Sequence, residues 1–355
     1  MVGYFEAIRS TFETIIEMKR VLVIGPSFYC YNYSIGDAFE KLGYAVQIVE
    51  FDEPVNPFNL RNRILNKLPF SRKFIQNSSR VFFNSSILKR FADFNPELVF
   101  IYNGDILEPS TISFFKQTAK VSIWALDGVS RHPRSEQLAP LVNAYFCFEQ
   151  NDVYSLKSKG INVYFLPQAC DTKIYHPIPS IKDIDILFVG ALYDYPNRIK
   201  LLKKVVDTFP QYKIAVYGIY KPWYKNPLKW LFREKRDIFK NYSIPPEEVN
   251  RLYNRSKICL NIHHPQSKNG ANPKVFEISG AGAFQLVDWN PFIESIFPSQ
   301  EIAMYRSEKE LIDMIVYYLH QDNTVMIEKA YKLISEKHTF VNRMSYVLKI
   351  LGIAE

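Results

Sequence analysis

At 355 residues the chain is too long for one comfortable core and fits two domains. Its 47% hydrophobic and 23% charged content is that of a soluble globular protein, and its net charge of +8 leans only modestly towards phosphate-bearing ligands, anionic surfaces or nucleic acid. Four isolated cysteines, Cys30, Cys147, Cys170 and Cys259, argue against a zinc site and a disulfide framework, and so for a reducing cytoplasm.

No apolar run reaches the length of a membrane span, and the N-terminus lacks the pattern of a secretory signal. Residues 3–18 place Phe5, Ile8, Phe12, Ile15, Ile16 and Met18 at helical spacing. The polar face mixes Glu6, Glu13 and Glu17 with Arg9, which favours a helix packed on the first domain over a membrane anchor. Val21–Ile24 reads as a buried strand closing on Gly25, Pro26 and Ser27. A helix around 35–42, Gly43 and a strand over 45–51 complete a βαβ opening. Gly25 and Gly36 lie too far apart for G-x-G-x-x-G, so Asp52 is weak evidence for a nicotinamide cofactor.

Residues 58–90 are basic and aromatic, with Arg61, Arg63, Lys67, Arg72, Lys73, Arg80, Lys89 and Arg90 and no acid. They read as helices and loops on a domain rim, either a solvated surface or a site for an anionic acceptor or lipid headgroup. Short apolar runs at 97–102, 120–126, 144–148 and 162–166, separated by helix-length polar segments, mark a parallel sheet. Ligands of such sheets sit beyond the carboxyl ends of the strands, which puts Ser27, Asn103, Asp105 and Asp127 at one edge. Asp127 is the first candidate to orient or deprotonate an acceptor hydroxyl, or else caps the turn at Gly128; His132 is the second candidate.

Pro167–Pro179 reads as a linker, which divides the chain into a domain over 1–168, a linker over 169–180, a second domain over 181–330 and a helical tail over 331–355. The second α/β series has strands at 185–189, 212–217, 258–262 and 283–287, with helices over 198–206 and 246–256 and further helices at 308–319, 324–336 and 343–351. Asp183 and Asp185 spell D-x-D, but at a strand start, where a turn rather than a metal clamp is expected. Between Tyr220 and Lys240, Trp223, Trp230 and Phe232 are interleaved with Lys221, Lys225, Lys229, Arg233, Lys235 and Arg236, a composition suited to a membrane interface or a nucleic-acid backbone.

The most informative stretch is 269–288. Asn272 is a good N-cap and Pro273 sits at the first helical position, while Gly280 and Gly282 end the helix. Lys274 and Glu277, three apart, share a face near an N-terminus that favours anions. That arrangement suits a nucleotide; a surface salt bridge is the plain alternative.

Asn272-Pro-Lys-Val-Phe-Glu277 followed by Gly280-Ala-Gly-Ala-Phe-Gln-Leu resembles the donor-site signature of group 1 glycosyltransferases, and is most similar to the branch of CgeB-like spore-maturation proteins. Asp185-Ile-Leu-Phe-Val-Gly190, Asn261-Ile-His263, Trp124-Ala-Leu-Asp127 and Tyr102-Asn-Gly-Asp105 add to the likeness. The resemblance implies a GT-B fold: two Rossmann-like parallel-sheet domains facing a cleft, with a C-terminal helix crossing back. It implies that Glu277 bonds the ribose of a donor nucleotide and that Lys274 and Arg198 are cations for its diphosphate. Asn272 and Gly270 would bring N–H groups near the sugar and phosphate, and Asn269, His263 and Gly190 complete the donor-binding set. The expected reaction is transfer from a nucleoside diphosphate sugar to a glycan, lipid-linked or protein hydroxyl, with retention and without a metal or other cofactor. Arg, Lys and helix N–H groups can stabilise the leaving diphosphate unaided.

Larger members of the superfamily carry a glutamate where this chain has Asn269, an amide without charge. That departure favours a second expectation, a non-catalytic assembly or maturation factor that binds a nucleotide or glycan without turnover. A nucleic-acid binder ranks last, because no motif supports it. A cytoplasmic place, at the inner membrane face if 221–240 makes a peripheral contact, is expected.

Overall fold

A computed structural model describes residues 19–27, 30–51, 69–125, 127–192, 195–219, 238–240, 242–298 and 301–353, with side chains from residue 80 onward in the helix that begins at Pro69. The expected helix at 3–18, Asp52, Arg61, Arg63, Lys67 and the aromatic–basic run with Trp223, Trp230 and Phe232 lie outside these residues.

Twelve strands form two six-stranded sheets among the described residues. The first contains β1 (Arg20–Pro26), β2 (Ala45–Phe51), β3 (Leu98–Tyr102), β4 (Lys120–Trp124), β5 (Ala144–Cys147) and β6 (Val163–Phe165), in the order β2-β1-β3-β4-β5-β6. Val21 to Ile24 and Leu98 to Ile101 are wholly buried. Continuous apolar runs are what a parallel sheet covered on both faces requires. Val23 stands opposite Ile48 on one side and Phe100 on the other.

The second sheet contains β7 (Ile184–Val189), β8 (Ile214–Tyr217), β9 (Phe239–Lys240), β10 (Ser256–Asn261), β11 (Gln285–Asp288) and β12 (Ala303–Tyr305), in the order β12-β11-β10-β7-β8-β9. Counted from its own first strand this is 3-2-1-4-5-6, the dinucleotide-fold order, and the direction in which strands are added reverses between the parallel neighbours β7 and β10. β9 and β12 are two and three residues long, too short for a period to show in the sequence. Prolines open the helices Pro196–Thr208, Pro246–Arg255, Pro273–Gly280 and Pro291–Ile296, at the position where the missing N–H has no intrahelical partner. The expected GT-B architecture, two α/β units built on parallel sheets, is present.

Of the described residues, one compact unit gathers those up to Trp124 with 132–145 and 348–353, and the other gathers 125–131 and 146–347. Within the second unit, Pro167 and Gln168 are pinned to the start of the last helix (Phe340–Leu351). Arg343 Nε donates to Pro167 O at 2.8 Å, and Nη2 donates to Gln168 O at 3.0 Å.

Candidate functional site

The helix Pro273–Gly280 starts beside the β7/β10 switch point, where open α/β sheets bind ligands. Its N-cap is built from β10 and β11. Asn272 Oδ1 accepts from Val275 N at 3.3 Å, and its amide exchanges hydrogen bonds with Asn261 at 2.8 and 3.1 Å. Asn261 Nδ2 also donates to Gln285 Oε1 at 2.8 Å, and Gln285 Nε2 reaches Val275 O and Ser279 Oγ at 3.1 Å. A buried amide network of this kind fixes the helix start to the strand ends.

Lys274 Nζ lies 2.6 Å from Glu277 Oε2. The Glu277 side chain is 2% exposed and that of Lys274 is 26% exposed, so the pair has one buried and one accessible end. Tyr175 also hydrogen-bonds Glu277; burial and then the carboxylate push its pKa far up. Burial and Glu277 do the same to Tyr253 and to the Cys170 thiol. Cys170 in turn lies against Gly280, where a Cβ would come 2.3 Å from its Sγ. Any larger residue at 280 would displace the helix end.

The loop 263–272 is held from three sides. Glu149, buried at the end of β5, accepts from Asn269 N at 2.8 Å and from Lys268 N at 2.9 Å. It also caps the helix Gln150–Ser158. Burial raises the pKa of this carboxyl, against the lowering effect of its three backbone N–H donors. The Asn269 side chain donates to Gln150 Oε1 at 2.9 Å, so this amide is engaged within the protein. Gly270 packs so closely that a Cβ would sit 2.2 Å from Phe148 O. Asn290 Nδ2 donates to Ser267 O and Gly270 O, both at 3.1 Å.

Arg198 is 9% exposed. Its Nη1 donates to Ala191 O and its Nη2 to Ile262 O, so it straps the loop after β7 to the loop after β10 across the switch point. Its guanidinium stacks 4.2 Å from the Tyr195 ring centroid, and burial lowers its pKa. Gly190 opens the first of those loops, and its carbonyl would lie 1.9 Å from a Cβ at Gly218. His263 Nδ1 is 2.7 Å from Asp288 Oδ1, and Asp288 also accepts from His263 N; the buried Nε2 has no hydrogen-bond partner. His264 is half-buried and packs edge-on against Tyr195, with ring centroids 4.6 Å apart.

Asp127 lies with this loop in the second unit. Gln266 Nε2 donates to its Oδ1 at 2.8 Å and Arg131 Nη1 to its Oδ2 at 2.9 Å. The other acceptor-side candidates gather in the first unit. His132 Nδ1 contacts Asp105 Oδ2, Asp105 N donates to Asn103 Oδ1 at 3.2 Å, and Asp105 Oδ1 accepts from Ser135 N at 3.0 Å. Asn103 is buried with φ 63°, a left-handed conformation that Asn tolerates better than most residues. Ser27, exposed at the end of β1, donates its N–H to Phe51 O at 3.2 Å. The two aspartates of the D-x-D spelling are ion-paired within the protein, Asp183 with Arg255 and Lys213 and Asp185 with Lys257.

Sequence reading missed Glu149, Gln266, Asp288 and Asn290. Asp288 was findable as a polar residue ending a strand. Glu149 and Asn290 hold a loop from outside it, and Gln266 reaches from that loop to the distant Asp127, so no local pattern marks them.

Residues 198–349 match the glycosyl transferase-like family model. The chain is 25% identical to spore protein CgeB of Bacillus subtilis (strain 168) over 249 residues, 66% of this chain and 75% of that protein. It superposes on a sucrose-phosphate synthase from Thermosynechococcus elongatus with a TM-score of 0.67 at 12% identity, covering 95% of this chain and 100% of that one. HepE of Anabaena, solved in complex with UDP and glucose, gives a TM-score of 0.62 at 10% identity, with coverage of 94% and 99%. At such identities these two structures establish the fold.

Proposed function

We propose that the chain is a glycosyltransferase of the CgeB-like GT-B kind, which its match to the glycosyl transferase-like family model and its likeness to spore protein CgeB support, and that it moves a sugar from a nucleoside diphosphate sugar to a hydroxyl of a glycan, lipid-linked or protein acceptor, without a metal. One observation carries the reading. A capped helix starts at the switch point of a dinucleotide-type sheet with an accessible lysine paired to a buried glutamate. Helix N–H groups and Lys274 take the diphosphate, and Glu277 takes the ribose hydroxyls. Glycosyl transfer places two developing negative charges on the leaving group, and fixed donors in a rigid loop stabilise them without reorganising. On the acceptor side, the contact with Asp105 fixes the His132 tautomer, so that the imidazole can orient or take the proton of a hydroxyl. The four free thiols suit a cytoplasmic place. No helix among the described residues is long and apolar enough to cross a membrane.

Titration calorimetry with UDP and GDP tests the donor site; the complex of HepE with UDP makes the uridine nucleotide the first probe. Wild type binds one of them, and Glu277→Gln and Glu277→Ala weaken that binding by roughly 10–100-fold, the worth of hydrogen bonds to a charged group. Binding of neither nucleotide, or unchanged binding by both variants, sinks the proposal. A second reading, a binding protein without turnover, is favoured by Asn269, whose uncharged side chain is held by Gln150. Hydrolysis of a panel of nucleotide sugars separates the two: a turnover-free relative binds but releases no sugar.

A further inference from the structure

Resting on the donor site proposed above, we infer that Arg131 is a diphosphate-binding cation of that site. The family resemblance implies this role for Arg198, but the two terminal nitrogens of Arg198 already hold Ala191 O and Ile262 O, and the residue is almost wholly buried. An arginine so placed shapes the loops and has little surface to offer a ligand. Arg131 has the complementary properties. Its side chain is 44% exposed, and Asp127 takes one Nη1 hydrogen bond from a guanidinium that has five N–H donors.

The position of Arg131 relative to the donor loop is fixed by a chain of hydrogen bonds inside the second unit. Arg131 donates to Asp127, Gln266 donates to the other oxygen of Asp127, and Gly128 N donates to Gln266 Oε1 at 3.3 Å. Gln266 belongs to the loop that leads to the helix Pro273–Gly280, so Asp127 and Gln266 act as struts that aim the guanidinium. His264, in the same loop, supplies a second donor. Its Nδ1 accepts from Gln266 N at 3.2 Å, which leaves the proton of the neutral ring on Nε2. Burial, Arg131 and Arg198 lower the pKa of His264 against the pull of Asp127, as expected where two guanidinium groups make the loop electropositive. A planar guanidinium held by a carboxylate at one nitrogen keeps its other N–H groups for bidentate contact with phosphate oxygens. Asp127 is then a positioning residue for the donor, and the acceptor role falls to His132.

The experiment compares diphosphate with nucleoside by calorimetry: UDP against uridine and GDP against guanosine, on wild type, Arg131→Gln, Arg131→Lys and Arg198→Gln. Arg131→Gln is expected to weaken the diphosphate by roughly 10–100-fold while leaving the nucleoside unchanged and the melting temperature within about 2 °C. Arg131→Lys retains part of the affinity, since it keeps the charge and loses the fork. Arg198→Gln lowers the melting temperature and weakens nucleoside and diphosphate together. If wild type binds a diphosphate and Arg131→Gln binds it equally well, this assignment is wrong and the donor site stands. If wild type binds neither diphosphate, the donor site itself is absent and the assignment falls with it.

Discussion

His338 shows how a single buried imidazole couples the fold to pH. It sits where the helix Thr324–Lys337 gives way to the last helix, and its Nδ1 accepts from Arg343 Nη2 at 2.8 Å. Burial, with Arg343 and Lys337 nearby, pushes its pKa down to about 4. The unfolded chain therefore takes up a proton near pH 6.5 that the folded chain refuses until about pH 4. The stabilisation is complete above pH 6.5 and is lost as pH falls through that window, at a cost of about 2–3 kcal/mol. Urea unfolding at pH 7.5 and pH 4.5 should show wild type losing that much more than His338→Asn, whose carbonyl can still accept from Arg343. Equal losses would show that His338 does not govern acid stability. Other chemistry at this scale was legible in advance. Lys274 and Glu277 pair as their spacing requires, because residues three apart on a helix are neighbours whatever surrounds them. Glu149 was illegible: nothing in the sequence near Phe148-Glu149-Gln150 says that its carboxylate meets a loop 119 and 120 residues away.

At the scale of elements, the shape of the loop 263–272 depends on one close approach. Gly270 is a glycine because Phe148 O occupies the space of a side chain. Gly270→Ala must push the loop off the segment 148–150 and disturb the bonds from Lys268 and Asn269 to Glu149. A loss of roughly 1–3 kcal/mol in stability is expected, as for other overpacked sites, together with weaker nucleotide binding. Thermal melts with and without UDP or GDP measure both; an alanine variant with wild-type stability would mean that the loop yields freely. The helix Pro273–Gly280, with proline at the first position and Asn272 at the cap, was legible, since these signals are local. β9 and β12 were not, because two or three residues carry no period and pair only when neighbouring strands are in place.

Over the whole molecule, the candidate residues divide between the two units. Asn103, Asp105 and His132 gather in the first; Asp127 goes with the loop 263–272 in the second. On the proposed function the units therefore serve separable steps, so His132→Gln should leave UDP or GDP affinity within about twofold and lower turnover by 100-fold or more, the range of general acid–base catalysis. A calorimetric and kinetic pair of measurements on that variant decides it; lost nucleotide affinity would place His132 in the donor site instead. The sequence by itself determined the fold class and most of its strands, because buried parallel strands must be apolar throughout and the linking helices must carry the 3.6-residue period. It also determined the helix Pro273–Gly280 with its Asn272 cap, since caps, proline and the Lys–Glu spacing act over a few residues. Only the tertiary structure decided that Arg198 is a strap, that Asp127 belongs with Arg131 and Gln266, and that Glu149 holds the loop at Asn269. Each of these joins residues far apart in the chain, and their meeting depends on which strand ends the sheet brings side by side.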